Sequence, residues 1–301
     1  METLKSAFHE LIGDAMATTK VTTHITAENV YQPAELAVRP LLDKLVEHLS
    51  LPGSGISGAG HLHELFEKAA SGAACLILPE HYSNSDLPCI SYFLRKDSPA
   101  SAQVAESLVA IAGMKLNEEN AQVAAFASAF SRIVICPSRY LDLFNGEKNQ
   151  DERLRVIQIN RASMRILNEI KRQGKLVLVF PAGTRYRPGK PDTKRGVREI
   201  DSYVKGFDYM CLLAVNGELL KVREGTMIDD YVNNDVVRLT ASPVISCAEF
   251  REKAKLAADA HGVDDKKQAV VDAIMAQLEE MHHQAEEERQ LILKTAQRAA
   301  S

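Results

Sequence analysis

The sequence predicts an α/β protein in which a mostly parallel sheet is flanked by helices. Short apolar runs of strand length alternate with longer amphipathic segments between Ala73 and Ala241. Strands buried on both faces of a parallel sheet are apolar throughout, whereas the helices that connect them repeat their apolar residues every 3.6 positions. The chain has 301 residues, of which 46% are hydrophobic, so it can build a large core around such a sheet.

The first 50 residues are predicted to be largely helical, and we expect a small helical domain over residues 1–52. Its first apolar residues share one helical face: Leu4, Phe8, Leu11 and Ile12. A second domain is expected over 53–301, with the α/β core and a C-terminal helical extension. The glycine-rich segment 53–60 matches the dinucleotide pattern Gly-x-Gly-x-x-Gly, but a helix precedes it where that site requires a strand. We therefore interpret this segment as a flexible hinge between helices.

The elements after residue 60 are predicted from periodicity and from the residues that end them. The segment 88–94 fits either a strand or the start of a buried helix. Gly174 follows the helix 151–173, at a position where glycine commonly ends a helix. Strands are predicted at 74–78, 132–137, 175–180, 209–215 and 236–241. Helices are predicted at 100–113, 118–130, 151–173 and 264–300.

A polar turn with a histidine and an aspartate follows the first predicted strand. The strand ends at Pro79, His81 follows, and Asp86 comes five positions later. A neutral imidazole can accept a proton from an alcohol near neutral pH, and a carboxylate on its other nitrogen fixes the tautomer and stabilises the imidazolium. His9 and Asp14 have the same spacing, but no strand leads to them, so we expect only a surface or capping pair there.

A second strand and turn repeat this arrangement further along the chain. The predicted strand 175–180 is followed by a turn that contains Gly183, Arg185 and Arg187. Glycine lets the backbone approach a ligand closely, and arginine binds phosphate through a planar pair of donors. Residues two apart in an extended segment point the same way, so both arginines can converge on one phosphate. With a histidine base, this turn indicates a substrate that carries both a hydroxyl group and a phosphate.

These motifs resemble those of the glycerolipid acyltransferase superfamily. One mark of that family is a His-x4-Asp block, which His81 and Asp86 match, and another is a later Phe-Pro-x-Gly-Thr-Arg block, which residues 180–185 match. Within the family, the chain resembles the soluble glycerol-3-phosphate acyltransferases of the plastid type. That closer resemblance comes from a strand that leads to Arg139 and Tyr140, and from Arg-x-Arg-Pro in the later turn.

The resemblance implies that a fatty acyl group moves from an acyl thioester to a hydroxyl of glycerol 3-phosphate, the first step of phospholipid synthesis. His81 would be the general base and Asp86 would orient it, without a metal, a cofactor or a covalent relay. The donor would be an acyl-carrier protein thioester or acyl-CoA. The residues implied to bind substrate are Arg139, Tyr140, Gly183, Thr184, Arg185 and Arg187.

Two alternative functions stay open at this point. A lysophosphatidate acyltransferase applies the same chemistry to a larger acceptor. Two departures from the related sequences bear on the acceptor: Ala182 stands where many members of the superfamily have Glu, and Arg139-Tyr140 replaces a Lys-His pair. The other alternative is a non-catalytic lipid-binding or acyl-carrier-binding protein, although an intact histidine–aspartate pair argues against it.

Composition excludes several other classes of protein. The net charge of −4 argues against a general nucleic-acid role. The five cysteines are odd in number and lack a Cys-x2-Cys pair, which predicts reduced, buried thiols in a cytoplasmic protein. No apolar run approaches the ~20 residues that span a bilayer, and acidic residues near the start argue against a signal peptide. We therefore expect a cytoplasmic protein that contacts membranes only peripherally.

A run of basic residues follows the arginine turn. Its members are Lys190, Lys194, Arg195 and Arg198. Such a run attracts acidic partners, so one interpretation is a surface for an acidic acyl-carrier protein. A solvated loop explains the same charges equally well.

Overall fold

A nine-stranded sheet forms the centre of the protein in the computed structural model, which describes residues 2–118, 120–137 and 150–300. Two further strands form a separate ribbon. The strands in chain order are β1 (Tyr31–Gln32), β2 (Gly55–Ser57), β3 (Cys75–Pro79), β4 (Leu108–Gly113), β5 (Arg132–Ile135), β6 (Leu176–Leu178), β7 (Tyr209–Asn216), β8 (Leu220–Lys221), β9 (Tyr231–Val232), β10 (Arg238–Ala241) and β11 (Ile245–Ser246).

The sheet is parallel at its centre and mixed at its edges. Its order is β1-β5-β4-β6-β3-β7-β10-β2, and β11 also pairs with β7. The five central strands, β5, β4, β6, β3 and β7, run parallel to one another. At the edges, β1 is antiparallel to β5 and β10 is antiparallel to β7. This arrangement confirms the predicted α/β fold with a mostly parallel sheet.

Helices cover both faces of the sheet. In the described part of the chain they are α1 (Leu4–Ala7), α2 (His9–Thr18), α3 (Arg39–Leu49), α4 (Ala59–Ala70), α5 (Asp86–Asp97), α6 (Pro99–Ser107), α7 (Lys115–Glu118), α8 (Ala121–Ala127), α9 (Gln150–Ile170), α10 (Ile200–Gly206), α11 (Cys247–Ala260) and α12 (Lys266–Ala300). Short 3₁₀ turns occur at Pro191–Lys194 and Met227–Asp229.

Alternate residues of β3 face two different hydrophobic clusters. Cys75 and Ile77 pack with residues of the early helices, including α3 to α6 and α8. Leu76 and Leu78 pack with residues of α9 to α12. Side chains of a strand alternate between the two faces of a sheet, so β3 is buried on both sides. A strand in this position has no polar surface, which explains its uninterrupted apolar sequence.

The N-terminal helices pack onto the first of these clusters. Leu4 of α1, Leu11 of α2 and Leu42 of α3 are buried in the same cluster as Cys75 of the central sheet. The strand β1 adds to the sheet edge beside β5. The two predicted domains, 1–52 and 53–301, share one apolar core. The domain boundary at residue 52 stays a prediction.

Three segments differ from their predicted structures. The largely helical start of the chain includes strand β1. The predicted hinge at 53–60 is wrong, because Gly55–Ser57 forms strand β2, which pairs in parallel with β10. The predicted helix over 100–113 is also wrong in its second half, where β4 lies between β5 and β6. Short apolar runs do not distinguish a buried strand from a buried helix, and here the sheet provides the pairing that decides.

The predicted C-terminal helix is present as α12, and it packs onto the sheet. Val270, Ile274 and Leu278 are completely buried, and they contact the cluster that includes Leu76. Leu291, nearer the end of the helix, is 65% exposed. Among the residues that the structure describes, no helix is long and apolar enough to cross a bilayer.

Gly217, directly after β7, occupies a conformation that only glycine adopts easily. Its φ is +89°, and a Cβ added there would lie 2.2 Å from the carbonyl oxygen of Val236. We predict that Gly217→Ala lowers the free energy of unfolding by about 2 kcal/mol or more. The left-handed conformation and the clash of the added Cβ with a carbonyl oxygen both destabilise the folded state. Urea unfolding measures this change.

The control is Gly13→Ala in helix α2, where nothing lies within 4 Å of an added Cβ. That variant should gain roughly 0.5–1 kcal/mol, because alanine has the higher helix propensity. Equal effects of the two substitutions would contradict the strain at Gly217.

Glu218, in the turn between β7 and β8, should make stability depend on pH. Burial, and next the nearby Asp86 carboxylate, raise the pKa of Glu218 from 4.5 to about 7. Its folded-state pKa exceeds its unfolded value, so the stability it contributes is complete below about pH 4.5 and is lost as pH rises to about 7. We predict that Glu218→Gln raises the free energy of unfolding by about 1–3 kcal/mol at pH 8. At pH 4 the variant and the native chain should have the same free energy of unfolding. A difference in stability that is independent of pH would argue against this ionisation.

Candidate active site

The residues that follow four parallel strands line one cavity of about 810 Å³. They are His81 after β3, Gly113 at the end of β4, Pro137 after β5 and Phe180 after β6. The carboxyl ends of parallel strands lie at one edge of a sheet, which is the usual position of ligand sites in open α/β folds. The cavity also has the volume of a typical small-molecule site.

The walls of this cavity extend over both faces of the sheet. Val123 and Phe126 of α8 belong to the first hydrophobic cluster, whereas Leu167 of α9 and Ile200 of α10 belong to the second. Residues on both faces can line one space only where it passes over the edge of the sheet. The polar turns after β3 and β6 therefore lie between two largely apolar walls.

A buried carboxylate fixes the position of His81. The Asp86 Oδ2 atom lies 2.9 Å from His81 Nδ1 and accepts the backbone N–H groups of Tyr82 at 2.8 Å and Ser83 at 2.9 Å. Asp86 is only 2% exposed and begins helix α5, whose N-terminal dipole favours a negative charge. Because the carboxylate accepts a hydrogen bond from Nδ1–H, the neutral ring carries its lone pair on Nε2.

The other ring nitrogen of His81 is available to a ligand. The imidazole stacks on the Phe180 ring, with centroids 3.9 Å apart and planes 19° apart. This contact holds the ring at the cavity wall, and within the described residues Nε2 has no hydrogen-bond partner. His9, by contrast, is exposed and makes no hydrogen bond to Asp14 in that part of the chain. Of the two matches to this spacing, His81 and Asp86 form a hydrogen bond, and the catalytic role of that pair stays a prediction.

The turn after β6 is attached directly to the turn after β3. The Tyr186 N–H donates to the His81 carbonyl at 2.8 Å, between the two arginines of the turn. Gly183 has a φ of +62°, and its N–H donates to the Phe180 carbonyl at 2.9 Å. Strands β3 and β6 are neighbours in the sheet, which brings the two sequence motifs together.

Arg185 is held by a buried aspartate that the sequence did not single out. Its Nη1 atom lies 2.7 Å from Oδ2 of Asp230, which is completely buried. The same oxygen accepts the side-chain amide of Asn84 at 2.8 Å, from the loop between His81 and Asp86. Burial raises the pKa of the Asp230 carboxyl, and Arg185 opposes that shift. Asp230 thus joins both motif turns to the segment before β9.

Arg187 is exposed and its guanidinium is free to bind an anion. Its backbone N–H donates to Thr193 Oγ1 at 2.8 Å, and its side chain lines the cavity. Across the residues that the structure describes, it makes no ion pair with a carboxylate. Gly183, Thr184 and Arg185 line the same cavity. The two remaining predicted substrate residues, Arg139 and Tyr140, lie outside the described residues.

A second buried carboxylate, Glu80, supports the turn from the opposite side. It is 3% exposed, and its oxygens accept the Tyr82 hydroxyl at 2.9 Å and the Val215 N–H at 3.0 Å. Its Oε2 also lies 2.8 Å from Nδ1 of His282, which is 202 positions away in helix α12. Sequence analysis did not identify Glu80 or His282. The only local signal was an acidic residue at the end of an apolar strand.

The basic run after the arginine turn is partly neutralised. Lys194 pairs with Glu279 of α12, and Arg198 pairs with Asp265 at 2.9 Å. Lys190 and Arg195 are exposed, and no carboxylate within the described ranges pairs with them. The surface predicted for an acidic carrier protein is therefore smaller than the sequence suggested.

The cysteines are unsuited to a nucleophilic role. All five are free and buried, as the sequence predicted. Burial raises the pKa of Cys75 to about 12 and that of Cys211 to about 12, so both stay protonated near neutral pH. Among residues 2–118, 120–137 and 150–300, no three side chains of His, Cys, Asp or Glu are grouped to hold a metal ion.

Comparison with known proteins identifies the family of this chain. The family model described as Acyltransferase matches residues 63–227, which is more than half of the 301 residues. The matched segment contains both polar turns and all four strands whose ends border the cavity. No curated protein is significantly similar to the chain. The chain therefore belongs to the acyltransferase family, and its general activity is the transfer of an acyl group.

Proposed function

We propose that the protein transfers a fatty acyl group from an acyl thioester to a hydroxyl group of glycerol 3-phosphate. The observation that carries this proposal is the position of two chemistries on one cavity. His81, with Asp86 on Nδ1, presents a free Nε2, and Arg185 and Arg187 line the same space. A base and a pair of arginines suit an acceptor that has a hydroxyl close to a phosphate.

The proposed reaction is a direct transfer without a covalent enzyme intermediate. His81 Nε2 accepts the hydroxyl proton while the oxygen attacks the thioester carbonyl, and Asp86 stabilises the imidazolium that forms. The tetrahedral intermediate then collapses, the C–S bond breaks, and His81 returns the proton to the leaving thiolate. The products are the acyl ester and the free thiol of the carrier or coenzyme. Atoms and charge balance without a metal or a redox cofactor.

The oxyanion of that intermediate requires hydrogen-bond donors near His81. The Gly183 N–H is already bonded to the Phe180 carbonyl, and the Tyr186 N–H is bonded to the His81 carbonyl. Thr184 and Arg185 lie between them, and in the described residues their N–H groups have no backbone partner. We assign these two backbone groups as the donors that face the developing charge.

The acceptor would bind through its phosphate. Asp230 compensates the charge of Arg185. Arg187 contributes a guanidinium that forms no ion pair with a carboxylate in the described part of the chain. The N–H of Tyr186, between the two arginines, donates to the His81 carbonyl, so the base and both arginines lie on two turns that are hydrogen-bonded to each other. A short acceptor such as glycerol 3-phosphate can extend from His81 on one turn to the arginines on the other. Arg139 and Tyr140 are proposed as further contacts on the basis of the sequence resemblance alone.

The donor would place its acyl chain along an apolar wall of the cavity. Val123 and Phe126 provide such a wall on one face of the sheet, and Leu167 and Ile200 provide one on the other. Burial of each methylene contributes roughly 0.8 kcal/mol, so either wall can hold a long chain. We propose an acyl-carrier protein or acyl-CoA as donor, in phospholipid synthesis in the cytoplasm.

A lysophosphatidate acyltransferase is the second candidate function. The presence of two apolar walls favours it, because such an enzyme must hold the chain of its acceptor as well as that of its donor. The third alternative, a non-catalytic lipid-binding protein, does not explain why a histidine–aspartate pair faces the cavity.

The deciding experiment compares two acceptors and two donors. Purified protein is incubated with radiolabelled glycerol 3-phosphate or lysophosphatidate, and with an acyl-carrier protein thioester or acyl-CoA. We expect labelled lysophosphatidate from glycerol 3-phosphate. Product from lysophosphatidate alone would support the second candidate, and no product from any pair would support a binding protein.

We predict that His81→Ala lowers the transfer rate by roughly 10²–10⁴-fold, the contribution typical of a general base. The rate constant for acyl transfer and the circular dichroism spectrum are measured on the same preparation. His9→Ala is the matched control, since His9 has the same spacing to an aspartate but is exposed and far from any cavity residue in sequence. A His81→Ala protein that is folded and within a few-fold of the native rate would remove His81 from the mechanism.

We predict that Arg187→Lys raises the KM for glycerol 3-phosphate about 10–100-fold and leaves the KM for the acyl donor unchanged. Lysine keeps the charge but loses the planar pair of donors, and a hydrogen bond to a charged group is worth roughly 1.5–3 kcal/mol. Arg195→Lys, also exposed but outside the cavity, is the control. A rise confined to the donor KM would instead assign Arg187 to the carrier or to the coenzyme phosphates.

A further inference from the structure

One exposed face of helix α9 carries positive charge and apolar side chains but no acidic residue. At 100° per residue its members fall within an arc of about 120°. We call it the α9 face, and it consists of Arg153, Leu154, Arg161, Met164, Arg165 and Asn168, all of them exposed. The three acidic residues of the helix fall outside this arc: Asp151, Glu152 and Glu169.

The arginines of the α9 face are unpaired in the described part of the chain. Arg153, Arg161 and Arg165 make no salt bridge there, whereas Arg155 on the inner side of the helix pairs with both Glu118 and Glu152. A helix face that only meets water usually mixes charges at i and i+4, which stabilises the helix. Three uncompensated arginines on one face instead favour a negatively charged partner.

Two large apolar side chains are exposed between these arginines. Leu154 is 52% exposed and Met164 is 50% exposed. Arginine and exposed aliphatic side chains on the same face are typical of helices that lie in the plane of a bilayer surface. There the guanidinium groups reach the lipid phosphates while the apolar side chains enter the boundary of the acyl chains.

The α9 face also borders the cavity. Met164 and Asn168 belong both to this face and to the lining of the cavity of about 810 Å³. The same two residues, with Arg161 and Arg165, line a shallow groove on the outer side of the helix. Because Met164 and Asn168 are exposed, the cavity reaches the surface beside α9, next to the exposed arginines.

We infer that the α9 face docks the protein onto a bilayer surface that contains anionic lipids. The charge is complementary, and the exposed Leu154 and Met164 add a contact that anionic headgroups alone would not require. From Arg153 to Arg165 the face is about 18 Å long, a straight strip suited to a flat surface. Docking in this orientation turns the cavity opening toward the lipid. The use of this orientation, release of a lipid product into the bilayer, rests on the proposed function. The docking itself does not depend on that function.

Sedimentation of the full chain with lipid vesicles tests this inference. Vesicles of phosphatidylcholine alone are compared with vesicles that contain about one third phosphatidylglycerol, and we expect binding to the anionic vesicles, weakened by salt. Each basic residue near such a surface contributes about fivefold to the partition coefficient. Arg161→Gln/Arg165→Gln should therefore reduce it about 25-fold. Leu154→Ser should reduce it severalfold without changing its dependence on salt.

The matched control is Lys253→Gln/Lys267→Gln, which removes the same charge from exposed positions on α11 and α12. We expect its partition coefficient to stay within twofold of the native value. Equal losses in both double variants, or no native binding to anionic vesicles, would overturn the inference. If instead an acidic acyl-carrier protein binds through Arg161 and Arg165 while vesicles do not bind, the face belongs to the carrier.

Activity separates this test from that of the proposed function. Arg161 and Arg165 do not line the larger cavity. Their double variant should keep the native rate with a water-soluble, short-chain acyl-CoA. Vesicle binding by a chain that acylates no acceptor would retain the docking surface and reject the proposed reaction. A chain that acylates glycerol 3-phosphate but does not bind vesicles would support the proposed reaction and reject the docking surface.

Discussion

The structure of the site depends on one buried oxygen, Oδ2 of Asp86. It lies within hydrogen-bond distance of three donors, the His81 ring and the backbone N–H groups of Tyr82 and Ser83. A buried carboxylate is costly unless it is compensated in this way. The loop between β3 and α5 therefore has little freedom while the carboxylate stays buried. The geometry of the histidine is a consequence of satisfying that charge.

Glu80 provides the same kind of constraint on the other side of His81. It connects strand β3 to strand β7 through Val215 and to helix α12 through His282. Helix α12 lies beyond residues 63–227, the segment that matches the family model. The C-terminal helix is therefore part of the support of the site, although the recognised family segment ends before it. Two buried carboxylates on either side of one histidine leave its backbone little room to move.

The sheet order explains why two motifs that are far apart in sequence line one cavity. In the described part of the chain, five helices and two strands separate β3 from β6 in sequence, yet β3 and β6 are neighbours in the sheet. Their carboxyl ends carry His81 and the arginine turn to the same edge. The cavity passes over that edge between two apolar walls and extends to Met164 and Asn168 on the exposed face of α9. His81, the two apolar walls and two residues of the α9 face, Met164 and Asn168, thus border the same cavity.

Local sequence determined the strands around Pro79 and Phe180, the His81–Asp86 pair and the position of the two arginines. These features depend on residues a few positions apart, so periodicity and side-chain chemistry are sufficient to predict them. Only the tertiary structure decided that Leu108–Gly113 is a strand, since a short apolar run fits either a strand or a helix until its neighbours are known. Only the tertiary structure supplied the partners of the site as well. Asp230 is 45 positions from Arg185, and His282 is 202 positions from Glu80, and pairs at such distances are set by the order of the sheet and the packing of α12.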